Sequence, residues 1–228
     1  GHRSSVIGHR SSVIAITMFH MEHGWAAFDS IGDWLGIELD SGQRAALIRF
    51  ESWLGEEALP AGGIGPSERD RLFDRHIVDS LAFQIGIPPD ASVAIDVGGG
   101  VGLPSIPLAI MRPDLEFALV ERSRKRSELA LRACRILGLE NYSVTTADVS
   151  VVEPVYDVAL FRASLPIVQA AGALSGIVKP AGTGLFAVSR RSEQPSLPNA
   201  PDNVTFVVSR EGDSILESPF WLLTMRNV

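Results

Sequence analysis

The chain has 228 residues, 46% of them hydrophobic and 21% charged, with a formal net charge of -7 and one cysteine, Cys134. That length and composition suit one globular domain, or a domain with a helical extension, and give no reason to expect disorder. The acidic total speaks against a uniformly basic nucleic-acid surface, the single cysteine excludes an intrachain disulfide, and no apolar run is long enough to span a membrane. A reducing, cytoplasmic setting is expected.

GHRSSVI stands at 1–7 and again at 8–14. Repeat folds use longer units and at least three copies, and the apolar stretch Val13 to Ile16 is too short for a signal peptide. Residues 1–20 are therefore expected to be a vector-derived or disordered tail, with Met18 or Met21 as the natural start. Residues 21–90 read as a helical extension. Asp40, with Gln43 three residues on, forms a capping box before Ala46, Leu47, Phe50, Trp53 and Leu54. LPAGGIGPS (59–67) is a loop, and Ser67 is expected to cap a helix carrying Leu72, Phe73, His76, Ile77, Ser80 and Leu81, stopped by IPPD at 87–90.

The rhythm changes in the region 91–228, the expected main domain. Strands are predicted at 92–97, 115–121, 142–148, 156–163 and 183–189, with helices from about Leu103, over 124–137 and around 166–178. NVTFVVS and FWLLTM are two closing strands joined by a turn at EGDS. Strands alternating with helices imply crossovers and a mostly parallel sheet, and the closing pair implies an antiparallel edge: an α/β, Rossmann-like architecture.

The stretch AIDVGGGVGLPSIP (94–107) follows the first strand. Glycine is costly to order, so Gly98, Gly99, Gly100 and Gly102 imply backbone that must approach something closely or adopt dihedrals a Cβ forbids. A strand, a glycine turn and a helix form a ligand site, because the crevice lies beyond the strand ends and the helix offers free N–H groups. The pattern is G-x-G-x-G, with Leu103 where a dinucleotide fingerprint has its last glycine. Glu121 at the second strand end can accept bonds from both ribose hydroxyls. Asp148, beside Ala147 at the third, can accept one from an adenine amino group. Together these describe a pocket for an adenosine with a short polar tail, the shape of S-adenosylmethionine.

DVGGGVGLPSIPLAI, then Lys125 and Arg126, then FRA at 161–163, with RHIVDSL at 75–81 upstream, resembles the RsmG (GidB) family. The resemblance covers roughly residues 68–190. It implies a class I S-adenosylmethionine-dependent methyltransferase fold, seven-stranded and mostly parallel behind N-terminal helices. The implied activity is methylation of guanine N7 in small-subunit (16S) ribosomal RNA. Asp96, Gly98, Gly100, Gly102, Leu103, Glu121, Ala147 and Asp148 are then the expected cofactor residues. Arg162 is expected beside both the cofactor and the incoming base, as the catalytic residue. His76, Asp79 and Ser80 are expected to cover the pocket. These three are triad types, but His76 and Asp79 lie about one helical turn apart, and no oxyanion hole is evident.

Guanine N7 carries an exposed lone pair and needs no general base. Alignment of the two reactants can supply on the order of 7–11 kcal/mol. RNA would be held by a local basic segment, ERSRKRSELALRACR (121–135), and by Arg190 and Arg191 after the fifth strand; of these the resemblance singles out only Lys125 and Arg126. No metal is expected. The chain departs from the family pattern on the substrate side: Phe161 stands for the serine of S-R-A, and Ser189 for the lysine near L-K-G. A different RNA or small-molecule acceptor, or a non-catalytic cofactor-binding paralogue, are the alternatives these two positions raise.

Overall fold

A computed structural model describes residues 27–212, 215, 216 and 218–227. The duplicated heptapeptide, Met18 and Met21 lie outside the described residues. Helix α1 (27–35) leads to α2 (Ser41–Trp53). Asp40 caps α2 with the predicted box: its Oδ1 accepts from Gln43 N (2.8 Å) while Gln43 Oε1 accepts from Asp40 N (2.9 Å). Leu47, Phe50 and Trp53 form the buried stripe.

The predicted helix after Ser67 is wound differently. Pro66–Arg71 is 3₁₀, Leu72–Val78 is π-helical, α3 (Asp79–Leu81) is one α turn, and Ala82–Gly86 is again 3₁₀. Periodicity located the helix but not its winding. The π turn relates residues five apart, which brings Asp74 and Asp79 onto one arginine, Arg190.

The sheet follows: β1 (Val93–Val97), α4 (Ser105–Met111), β2 (Glu116–Val120), α5 (Arg124–Leu137), β3 (Tyr142–Thr145), β4 (Tyr156–Phe161), α6 (Ile167–Ala173), β5 (Val178–Arg190), β6 (Val204–Glu211) and β7 (Phe220–Asn227). The strand order is β3-β2-β1-β4-β5-β7-β6, parallel except where β7 inserts antiparallel between β5 and β6. β3 ends before the predicted 142–148, and β5 begins five residues before the predicted 183–189. Between Tyr156↔Val178 and Val158↔Thr183 the ladder shifts register, so Lys179 to Gly182 form a bulge whose Pro and Gly read as loop in the sequence.

The central strands bury both faces, whereas the edge strands β3 and β6 leave alternate residues exposed. Leu160, Leu185 and Leu222 face a core shared with Phe28, Phe50 and Phe83 of the N-terminal helices. Ala159, Phe161, Phe186 and Leu223 face a second core closed by Ala170, Ala171 and Leu174. Among the described residues no helix is long and apolar enough to cross a membrane.

Candidate functional site

The strand order reverses direction between β1 and β4, and ligands of such sheets bind outside the strand C-termini at that point. A cavity of about 360 Å³ opens there. Its floor is Val97 and Gly98 after β1. Val120, Glu121 and Arg122 after β2 line one wall, and Ala147, Asp148 and Val149 after β3 extend it. The opposite wall is Ala163, Ser164, Leu165 and Pro166 after β4, with Gln169 of α6, and Arg126 reaches in from α5.

The glycine turn is shaped by steric need. Gly98, Gly100 and Gly102 have φ of 69°, 62° and 97°, in the region that L side chains rarely adopt. A Cβ on Gly98 would stand 2.8 Å from Ser164 Cβ, at the cavity wall, and one on Gly99 would stand 2.0 Å from the Asp96 carboxylate beneath. On Gly100 its nearest neighbour would be Arg126 Cδ at 3.8 Å, so that glycine answers to its dihedral rather than to crowding.

Glu121 is 3% exposed and ties this turn to α5. Its Oε2 accepts from Gly100 N (3.1 Å) and its Oε1 from Ser123 N (2.7 Å). Each oxygen retains a lone pair for a further donor. Asp148 is exposed and caps the short 3₁₀ turn, where the Ser150 N–H holds its carboxyl below the ordinary range. Ser164 Oγ is buried and has no partner among the described residues.

Several expected site residues lie elsewhere. Asp96 is fully buried below the turn, where its Oδ2 accepts from Ser105 N (3.2 Å) and from Ser105 Oγ. Burial pushes this carboxyl up to about 7. Gly100, Gly102 and Leu103 shape the turn without lining the cavity: Gly102 packs on Ile106, and Leu103 enters the core.

Arg162 points to the helical extension rather than the cavity. Its Nη2 donates to Arg75 O and lies 3.2 Å from His76 Nδ1, and its Nη1 is 3.5 Å from Ser80 Oγ. His76, Asp79 and Ser80 therefore do not cover the cavity; they are buried behind it, holding Arg162 and Arg190. Burial, then the Arg162 charge, lower His76 to about 4. The 3.4 Å contact between its Nε2 and Glu68 is therefore not an ion pair at neutral pH.

Arg190 is a correction as well. Its side chain is 2% exposed and pairs with both oxygens of Asp74, with Asp79 Oδ1 3.2 Å from its Nε. A guanidinium so enclosed is not a surface contact for a phosphate. Lys125 is exposed beside the Gly62 loop, and Arg126 is exposed at the cavity mouth. Phe161 faces the core and stacks on Phe186, and the Ser189 hydroxyl accepts from Arg191 Nε at 3.0 Å. The departure at Phe161 is therefore one of packing. Ser164 and Gln169 were missed as cavity-lining residues, and Arg122 was read only as part of the basic segment; the rule that ligands meet strand C-termini, applied to β4 as to β1–β3, would have found Ser164. Among the described residues no group of three or more His, Cys, Asp or Glu is placed to hold a metal ion.

A family model described as rRNA small subunit methyltransferase G matches residues 43–210. The chain belongs to the GidB family. The ribosomal RNA small subunit methyltransferase G of Pseudarthrobacter chlorophenolicus is 35% identical to this GidB member over 182 residues, 75% of this chain and 82% of that protein. The protein of the same name from Acidothermus cellulolyticus is 37% identical over 136 residues, 60% of this chain and 61% of that relative, so the match spans about three-fifths of the latter's length. The fold is shared with a SAM-dependent methyltransferase from Aquifex aeolicus, at 14% identity and a TM-score of 0.52 over 71% of this chain and 98% of that one. GidB membership agrees with a seven-stranded sheet of class I methyltransferase type, and the matched span runs from α2 to β6, enclosing every residue of the cavity.

Proposed function

We propose that this chain transfers a methyl group from S-adenosylmethionine to guanine N7 of small-subunit ribosomal RNA. One observation carries the reading: a cavity at the β1/β4 switch point is floored by bare main chain at Gly98 and walled by the carboxylates of Glu121 and Asp148, in a chain of the GidB family. Its volume suits a small ligand. The residues present fit the donor: Gly98 keeps the cavity floor free of a Cβ, for which Ser164 leaves no room, and the buried Ser164 Oγ has no partner among the described residues.

When bound, S-adenosylmethionine supplies an electrophilic methyl group on a sulfonium. Glu121 would accept from ribose hydroxyls with the lone pairs its backbone donors leave free. Ala147 and Asp148 would flank the adenine, Asp148 accepting from its amino group. Gly98 and Ser164 would meet the amino-acid tail. At the acceptor, the N7 lone pair would take the methyl group, the C–S electron pair being left on sulfur. The methylated base gains a positive charge, no proton leaves, and no side chain must act as a base. What the protein contributes is alignment and exclusion of water. Arg162 serves as a positioning residue: it braces the β4 end, from which Ala163 and Ser164 emerge, against the π segment.

Arg122 and Arg126 at the cavity mouth and Lys125 beyond it offer cations to RNA phosphates. Placement in the cytoplasm follows from that substrate. The test is transfer of labelled methyl from the donor to undermethylated small subunits, naked ribosomal RNA and mixed metabolites. Label on subunits or on naked ribosomal RNA at a guanine supports the reading. Label on metabolites alone assigns a different acceptor, and donor binding without transfer to anything makes the chain a non-catalytic relative.

A further inference from the structure

At the opposite end of the sheet from the donor cavity, a groove of about 340 Å³ takes no part in the methyl-transfer scheme. It opens where α4 ends before β2, α5 ends before β3 and α2 begins, beyond the N-terminal ends of the strands. Ala46, Ala109, Ile110, Pro113 and Leu139 give it apolar walls, and Glu140 stands among them. We propose that this groove docks a basic and apolar segment of a protein, its aliphatic stems against the walls and its ammonium or guanidinium groups on the rim. That the protein belongs to the small subunit rests on the methyltransferase reading; the groove and its chemistry do not.

The walls are apolar because the backbone around them is already served. A helix end leaves carbonyls without partners. Here two side-chain amides answer those of α4. Gln43 Nε2 donates to Ile110 O (3.2 Å) and Met111 O (3.0 Å). Asn141 Nδ2 donates to Ala109 O, Arg112 O and Leu115 O at 3.1, 3.1 and 3.0 Å. These five bonds fasten the end of α4 to α2 and to the start of β3, so the groove is held open by fixed walls. Small residues, Ala46 and Gly138 among them, give it depth.

Charge selects the occupant. Glu140 is exposed in the groove and pairs with no cation among the described residues. Asp40 borders it too, since a Cβ on the lining residue Gly42 would stand 3.2 Å from Asp40 Oδ1. The C-terminal end of α5 adds partial negative charge, while the positive end of α2 is already answered by Asp40. Asp114, next to the lining residue Pro113, is matched by Arg112 through bonds of 2.8 and 2.7 Å, and Arg135 is the cation in the last turn of α5. Such a rim repels phosphate and favours cations. Lysine and arginine suit it, because they lay their stems on apolar surface and keep the charged head in water. A protein packed on RNA must itself carry cations to meet the phosphates. An assembled small subunit therefore offers such segments, and naked RNA does not.

The experiment titrates the protein with a short peptide of lysine and leucine, and with its glutamate counterpart, following the Leu139 and Ile110 methyl signals by NMR. Glu140→Lys reverses the rim charge and Ala46→Leu fills the groove. The lysine peptide should shift both signals in the native protein and the glutamate peptide neither. Glu140→Lys should weaken the lysine peptide about fivefold, and Ala46→Leu by at least as much. In methyl transfer, each variant should raise KM for assembled small subunits about fivefold, while affinity for naked ribosomal RNA and for S-adenosylhomocysteine stays native. Unmoved signals with the lysine peptide, or equal binding of the two peptides, overturn the proposal. So does a native KM for subunits in both variants. Self-association of the native protein that Glu140→Lys dissolves would give the groove to a second copy of the chain, and overturns it as well. Failure of the native protein to methylate subunits would overturn the methyltransferase reading instead, while the peptide titration still decides the groove.

Discussion

Arg190 and Asp74, 116 residues apart, form a two-bond pair: both guanidinium Nη atoms donate to the two carboxylate oxygens, and Asp79 stands on the same arginine. The pair fastens the end of β5 to the π segment. Asp79 is buried and meets a second cation, Arg75 Nε, at 3.4 Å, so removing Arg190 takes the nearer of its two ion-pair partners and leaves the carboxylate in a dry place with the weaker one. Arg190→Met should cost about 3 kcal/mol at pH 7. At this chain length that is a fall of roughly 6–12 °C in Tm, read by calorimetry. Binding of small subunits by the folded variant should keep its salt dependence. A native Tm with weakened subunit binding would return Arg190 to the RNA surface.

The same network makes stability depend on pH through His76. Its folded pKa is lowered to about 4 from the ordinary 6.5, so in acid the unfolded chain takes up a proton that the native protein refuses. This contribution is present above pH 6.5 and is lost as pH falls toward 4. Asp79, raised to about 6, and Asp96, raised to about 7, act with the opposite sign, stabilising as pH falls through those values. The histidine is therefore read by difference. Between pH 7 and pH 5, His76→Gln should gain about 2 kcal/mol relative to native in denaturant unfolding. Parallel pH profiles for the two proteins would show that His76 is not the acid-sensitive group.

Much of this architecture was legible because local chemistry and tertiary need agreed. The Asp40–Gln43 box, the bounds of α5 and the alternation of strands and helices each follow from capping, period and turn signals. That Gly98, Glu121 and Asp148 line one cavity was legible for the same reason: glycine where a Cβ is forbidden, carboxylates at strand ends. What escaped was direction. Arg162, His76, Asp79 and Ser80 are the residue types of an active site, yet a guanidinium can serve a backbone carbonyl as well as a ligand, and only the π winding shows which. Arg190 read as a surface cation because its partners, Asp74 and Asp79, are more than a hundred residues away. Ser164 was passed over because what marks it, close packing against Gly98 just beyond the end of β4, shows only in the fold.

The glycines separate into two kinds that substitution distinguishes. Gly98→Ala adds a Cβ 2.8 Å from Ser164 at the cavity wall, whereas Gly100→Ala adds one with no neighbour closer than 3.8 Å. Both carry the strain of a left-handed residue, about 1–2 kcal/mol. Calorimetric titration with S-adenosylhomocysteine should show at least a tenfold loss for Gly98→Ala and near-native affinity for Gly100→Ala. Equal losses would mean that the turn acts as a unit and that neither glycine marks the ligand's approach.

The basic mouth of the cavity gives the last expectation. Arg126 is exposed, lines the cavity and makes no ion pair among the described residues, while the neighbouring Arg124 is engaged by Glu128 at 2.8 Å. Arg132 is likewise held, by Glu57 at 2.6 Å. If RNA is the acceptor, the unpaired cations should meet its phosphates and the paired ones should contribute less. Each phosphate contact adds about 0.9 to the slope of log affinity against log salt for duplex DNA and about 0.7 for single strands. Arg126→Ala and Lys125→Ala should each lower the slope for small-subunit binding by nearly one, and Arg132→Ala should leave it unchanged. Binding of S-adenosylhomocysteine by Lys125→Ala should stay native, since that side chain lies outside the cavity. A slope that responds to Arg132 and not to Arg126 would place the RNA on the outer face of α5, away from the cavity, and would separate RNA binding from the methyl-transfer site.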